Sequence, residues 1–214
     1  MSIIVIGGHT RSVGKTSVVA GLIAALPTHH WTAIKITEHR HGVCSAHGEA
    51  CGCATADHSW AISEEKDRSG ESDTSRFLVS GAEHSWWVRT QPGRLEKAMP
   101  RIREIIASTQ YALIESNSIL RFLKPDLYLT VLDPQTADFK ASALTYLDQA
   151  DAVLLHATAN SKSPAWKQVL LKPVKCPIFV IQPPKYVTQE VVEFVRARLA
   201  SCIASSQHKT ELSS

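Results

Sequence analysis

The run Ser2-Ile3-Ile4-Val5-Ile6-Gly7-Gly8-His9-Thr10-Arg11-Ser12-Val13-Gly14-Lys15-Thr16-Ser17 leads directly into Val18-Val19-Ala20-Gly21-Leu22-Ile23-Ala24-Ala25-Leu26. A wholly apolar β-rich stretch, a glycine-bearing turn and an apolar helix follow one another without a break. Continuous apolar strands belong to parallel sheets covered by helices on both faces. The turn has the chemistry of a phosphate cradle. Glycines let backbone N–H groups point inward, and the N-terminus of the helix adds about half a positive charge. Lys15 is placed to reach the β- and γ-phosphates of a nucleoside triphosphate, and the Thr16 hydroxyl to ligate Mg²⁺. Gly8, Thr10, Arg11, Ser12, Val13, Gly14 and Ser17 complete the expected loop contacts. The spacing departs from G-x-x-x-x-G-K-T: His9 stands at the first glycine position and Gly8 lies one residue earlier, leaving five residues between the two glycines.

Outward from this run, apolar strands are expected near 2 to 7, 31 to 37, 84 to 89, 110 to 115, 126 to 132, 151 to 157 and 177 to 182. Helical periods fall near 15 to 26, 73 to 81, 93 to 108, 139 to 148, 164 to 171 and 188 to 204. The alternation predicts a doubly wound, mostly parallel sheet in a three-layer α/β/α sandwich. One domain over residues 1 to 204 suffices for 214 residues, with a frayed tail over 205 to 214. Residues 38 to 72 lack clear periodicity and read as an insertion rich in Cys and His.

With 44% hydrophobic and 20% charged residues the chain has the composition of a globular domain, and a net charge of +3 without a basic run gives no sign of a nucleic-acid partner. The first residues read as a strand and no apolar run approaches the length of a spanning helix, which points to a cytoplasmic protein without a membrane partner.

Tyr111-Ala112-Leu113-Ile114-Glu115 is an apolar strand ending in a carboxylate. Glu115 is the candidate to contact Mg²⁺, directly or through water; a solvated strand-end glutamate is the alternative. Lys35, a charge inside Ala33-Ile34-Lys35-Ile36-Thr37, implies an anionic partner, phosphate or substrate, unless it snorkels from an edge strand. Lys15, Glu115 and Lys35 are the candidate catalytic residues. Asp133, Asp138 and Lys140 precede a helix and suit a cap better than a substrate contact. Asn160 follows a strand where a base-reading residue would sit, but no Asn-Lys-x-Asp is present, so GTP and ATP both stand. Trp86 and Trp87 suit packing on the sheet, and Trp60 suits closure over a ligand.

His39, His41, Cys44, His47, Cys51, Cys53 and His58 place seven soft ligands within twenty residues. Thiolate and imidazole suit zinc, and the C-x6-C-x-C spacing could hold an iron–sulfur cluster; a polar loop with reduced thiols is the other reading.

The loop, with its Val13-Gly14-Lys15-Thr16 ending, resembles that of dethiobiotin synthetase. Ala33-Ile34-Lys35-Ile36-Thr37-Glu38-His39-Arg40-His41 and the Ser72-Asp73-Thr74-Ser75-Arg76 helix ending at Ser80-Gly81-Ala82 resemble the adaptor (protein B) family of molybdopterin-guanine dinucleotide biosynthesis, and Leu113-Ile114-Glu115 resembles a strand end of both. The resemblance covers about the first 120 residues. It implies a P-loop NTPase of the deviant class that also holds the nitrogenase-iron-protein-like ATPases. Where those dimeric ATPases carry a signature lysine this chain has Thr10, and Ser116-Asn117 replaces the expected glycine. Implied with it are Mg²⁺-dependent GTP or ATP hydrolysis in molybdenum-cofactor-like biosynthesis, and an enzyme of that biosynthesis and a second copy of the chain as partners. An ATP-dependent ligase or kinase, and a nucleotide-gated metal or redox sensor, are the rival readings.

Overall fold

Ile4 and Ile6 are fully buried on one face of the first strand, and Val5 is fully buried on the other. A strand with both faces in a core must be central. In the computed structural model, which describes residues 1–38, 59–157, 165–166 and 175–211, that strand, β1 (Ser2–Gly8), lies between β5 (Tyr111–Glu115) and β6 (Leu127–Leu132). The other strands are β2 (Thr32–Glu38), β3 (Trp60–Glu64), β4 (His84–Thr90), β7 (Ala152–His156) and β8 (Ile178–Ile181). Their order is β3-β4-β2-β5-β1-β6-β7-β8, parallel throughout except for the antiparallel β3–β4 pair.

Helices α1 (Lys15–Ala25), α2 (Asp73–Val79) and α5 (Gln189–Glu211) share one core with β1, β5, β6 and β7. Helix α3 (Leu95–Ala107) covers the opposite face through Leu95, Ala98, Met99, Ile102, Ile105 and Ile106. Leu147, just after α4 (Ala141–Tyr146), packs on β6 and β7. The three-layer α/β/α sandwich is thus present, with helices on both faces as the apolar strands require. None of the described helices is long and apolar enough to cross a membrane.

Three expectations change. Residues 60 to 64 form β3, an edge strand missed because five half-buried residues in a polar neighbourhood carry little periodicity. Trp60 and Ile62 pack on the α3 core, so Trp60 is a packing residue and not a ligand lid. Helix α5 continues to Glu211, past the end expected near 204. The helix expected over 164 to 171 lies outside the described residues, apart from a turn at Ala165 and Trp166.

Candidate functional site

The carboxyl ends of β1, β2 and β5 open on a cleft of about 630 Å³, where open α/β sheets place their ligands. Its floor is the β1–α1 loop. Gly14, the cap residue before helix α1, lies in the left-handed region at φ 97°, and the first turn of the helix has no side-chain cap and no acidic residue. The orphan N–H groups of that turn are therefore left for an anion. The loop also holds Ser12 at φ 56°.

Contacts from distant parts of the chain set the loop's shape. The Asn117 amide accepts from the Gly8 N–H at 2.9 Å and donates to the Gly8 carbonyl at 2.8 Å. A Cβ on Gly7 would lie 2.2 Å from the same amide, so only glycine permits this approach. The Thr10 hydroxyl donates to Asp138 at 2.7 Å. His156 donates to the Val13 carbonyl at 2.9 Å, and the Tyr186 ring sits so close to Gly14 that a Cβ there would fall 2.1 Å from it. His9 turns away from the cleft. Fully buried, it packs against Phe139 and Trp166 and donates to the Thr136 carbonyl at 3.3 Å. Burial, the largest influence, holds its pKa below the ordinary histidine value. The residue at the displaced glycine position thus serves the wall of the loop.

Asn117→Ala tests this clamp. Leaving both Gly8 backbone groups without their partner is expected to cost about 2 kcal/mol, a drop in Tm of about 4–8 °C for a chain this size, read by thermal unfolding. An unchanged Tm would mean that the clamp does not hold the loop.

Lys15, at the start of α1, donates to the Thr10 carbonyl at 2.9 Å. Burial, only partly opposed by the Glu115 carboxylate, lowers its pKa to about 8. Beside it the Thr16 hydroxyl donates to Glu115 Oε2 at 2.8 Å. Register explains the next contact. Lys35 on β2 stands directly opposite Glu115 on β5, and its ammonium donates to Glu115 Oε1 at 2.9 Å. It also pairs with Asp73 at 2.6 Å. Asp73 reaches it because Ser72 caps α2, accepting from the Ser75 N–H at 3.0 Å. Arg76, one turn on, donates to Ser17 at 3.2 Å and ties α2 to α1.

The anionic partners of Lys35 are the Asp73 and Glu115 carboxylates, where the sequence pointed to phosphate or substrate. Strand β2 is internal, so Lys35 does not snorkel from an edge. Glu115 is 5% exposed, so it is not a solvated strand end. Asp138 does not cap α4: Lys140 occupies the cap position without a side-chain cap, and Asp138 holds Thr10 instead. Lys140 lines the cleft, its pKa lowered first by burial and then by Arg11. Asp133 accepts from Gln135 N–H and the Thr136 hydroxyl in its own turn. Trp87 donates to the Thr37 hydroxyl, and Trp86 packs on the α3 core.

Asp73, Arg76, Asn117, His156 and Tyr186 were not expected at the site. A signal existed for Asp73 and Arg76, as a capped helix start with an acid and a base three residues apart, and for Asn117, in the Ser116-Asn117 departure after Glu115. Asn160 and the soft-ligand set His39, His41, Cys44, Cys51 and Cys53 lie outside the described residues. Among the described residues no three of His, Cys, Asp and Glu are grouped to hold a metal ion.

No family model matches the chain. No curated protein matches it either. Among solved structures, HypB from Helicobacter pylori in complex with nickel is 14% identical over 94% of this chain and 86% of that one, with a TM-score of 0.49. The "apo" form of LpxK from Aquifex aeolicus in complex with ATP is 17% identical over 84% of this chain, with a TM-score of 0.46. This chain spans 53% of that LpxK chain.

Proposed function

We propose that this protein binds a nucleoside triphosphate with Mg²⁺ on the β1–α1 loop and hydrolyses or transfers the γ-phosphate. The observation that carries the reading is the pairing of the uncapped α1 N-terminus, bearing Lys15, with the Thr16 hydroxyl and Glu115 carboxylate 2.8 Å apart beside it. The oxygen donors Thr16, Glu115 and Asp73 suit a hard cation such as Mg²⁺, which coordinates oxygen and is commonly held by one or two carboxylates plus phosphate. When bound, the cation supplies charge neutralisation at the phosphates. The backbone N–H groups of residues 10 to 16 orient the phosphate chain, Lys15 leaves the Thr10 carbonyl for it, and the walls from α2 and β5 limit water. Gly8, Arg11, Ser12, Val13 and Ser17 belong to this cradle in the proposal.

Within this reading the favoured role is GTP or ATP hydrolysis in cofactor biosynthesis, in the cytoplasm, with an enzyme of that biosynthesis and a second copy of the chain as partners. What supports it is the sequence resemblance over the first 120 residues. A transferase acting on a second substrate is favoured by a different observation. The cleft continues past the loop to Glu38, which accepts from Ser118 at 2.9 Å, and to Lys140, leaving room for an acceptor. Zinc or an iron–sulfur cluster on the 39–58 segment is a separate proposal from its soft-ligand density; elemental analysis finding neither metal in purified protein sinks it.

Calorimetric titration with non-hydrolysable GTP and ATP analogues plus Mg²⁺ tests the main reading. GTP alone binding supports the adaptor role, ATP alone binding supports the transferase, and binding of neither overturns the proposal.

A further inference from the structure

Lys35 is surrounded by oxygen much as a metal ion would be. Its Nζ lies 2.6 Å from Asp73 Oδ2, 2.9 Å from Glu115 Oε1 and 3.2 Å from Thr16 Oγ1. The three protons of an ammonium are matched by three acceptors, and the side chain is only 12% exposed. All three acceptors belong to the donor set assigned above to Mg²⁺.

We propose that Lys35 is a built-in counter-cation. In the nucleotide-free protein its ammonium satisfies the oxygens of the divalent-cation site, so that the cation enters only together with a triphosphate. This inference rests on the Mg–nucleotide reading.

Charge arithmetic gives the reason. Asp73 also pairs with the Arg76 guanidinium at 3.7 Å, so two carboxylates, one ammonium and one guanidinium leave the cluster without net charge, which does not support a doubly charged cation beside the ammonium. A triphosphate changes the balance. Its oxygens offer Lys35 a new anion and supply the cation with further ligands, so the ammonium moves off Glu115 and Thr16 without becoming an unpaired buried charge. Lys35 is then a positioning residue: it keeps the Thr16 hydroxyl and the Glu115 carboxylate oriented while no metal is present. Because it also holds Asp73 on α2, its release would be felt by that helix.

The test is a Mn²⁺ titration followed by electron paramagnetic resonance of the free ion, on wild-type protein and on Lys35→Met, which keeps the apolar stem. Without nucleotide, wild-type protein is expected to bind Mn²⁺ weakly and Lys35→Met at least about tenfold tighter. With a non-hydrolysable triphosphate analogue the wild-type affinity should rise at least about tenfold, and by linkage Mn²⁺ should tighten the analogue equally. Equal Mn²⁺ affinity of wild type and a folded Lys35→Met, checked by circular dichroism, overturns the proposal. So does wild-type affinity that is the same with and without bound analogue; if Lys35→Met does not fold, Lys35→Gln takes its place in the comparison. Failure of the analogue to bind at all overturns the nucleotide reading instead, and the two Mn²⁺ titrations without nucleotide then still decide whether the ammonium blocks a cation site.

Discussion

Lys15→Ala is expected to weaken triphosphate binding at least about 100-fold, because an ammonium donating to two phosphate oxygens contributes about 3 kcal/mol or more. The loss should be confined to binding. Among the described residues the Thr10 carbonyl is the one hydrogen-bond partner of the Lys15 ammonium, and burial already disfavours its charge. The pH dependence follows from the same burial. The folded pKa of about 8 lies below the ordinary lysine value of 10.5, so between these two values the unfolded chain binds more protons than the folded one. Stability contributed through Lys15 therefore rises with pH across that window, and below it the cost of burying the charge is fully present. The variant loses this slope, and thermal unfolding of both proteins across that window reads the difference. A phosphate restores the ammonium, so above pH 8 binding takes up a proton, seen as a dependence of the calorimetric enthalpy on the buffer. A variant that binds nucleotide as tightly as wild type would remove Lys15 from the site.

Contrast between local and distant information explains how much of this was legible in the sequence. The β1–α1 turn could be placed although its first glycine is displaced, because strand, turn, Lys15 and helix are contiguous. The central strands could be read because burial on both faces leaves unbroken apolar runs such as Ile3 to Ile6 and Leu127 to Leu132. Strand β3 could not, since an edge strand buried on one side needs only Trp60 and Ile62. Lys35 and Glu115 were each picked out, yet their pairing comes from the β2–β5 register across 80 residues, which no local pattern encodes. The Asn117 clamp on Gly8 spans 109 positions and the His156 contact with Val13 spans 143. Their side chains are ordinary, and only the sheet order brings them to the loop. His9 reads as a loop residue and becomes a wall residue because Phe139 and Trp166 close over it.

Glu115→Ala should be the most destabilising change at the site. It removes one of the two carboxylates on a lysine that is 12% exposed, and a buried ion pair broken on one side typically costs 3–5 kcal/mol. Asp73 remains as counter-ion, so a value near the lower end, about 3 kcal/mol, is expected, a fall of about 6–12 °C in Tm. The Thr16 hydroxyl loses its acceptor as well. Charge, and not packing, should account for most of the loss, and a double-mutant cycle separates the two. If Lys35 is left short of negative charge in the single variant, then adding Lys35→Met should restore at least about 1 kcal/mol. If instead the cost comes from the cavity left by the glutamate side chain, the two substitutions add and the double variant is the least stable of the set. Nucleotide affinity provides the second axis. With Glu115 gone, Mg²⁺ should no longer tighten triphosphate binding, while binding of the metal-free triphosphate, held by Lys15 and the α1 N-terminus, persists. Retained Mg²⁺ dependence would take Glu115 out of the donor set and leave the metal to Thr16 and Asp73.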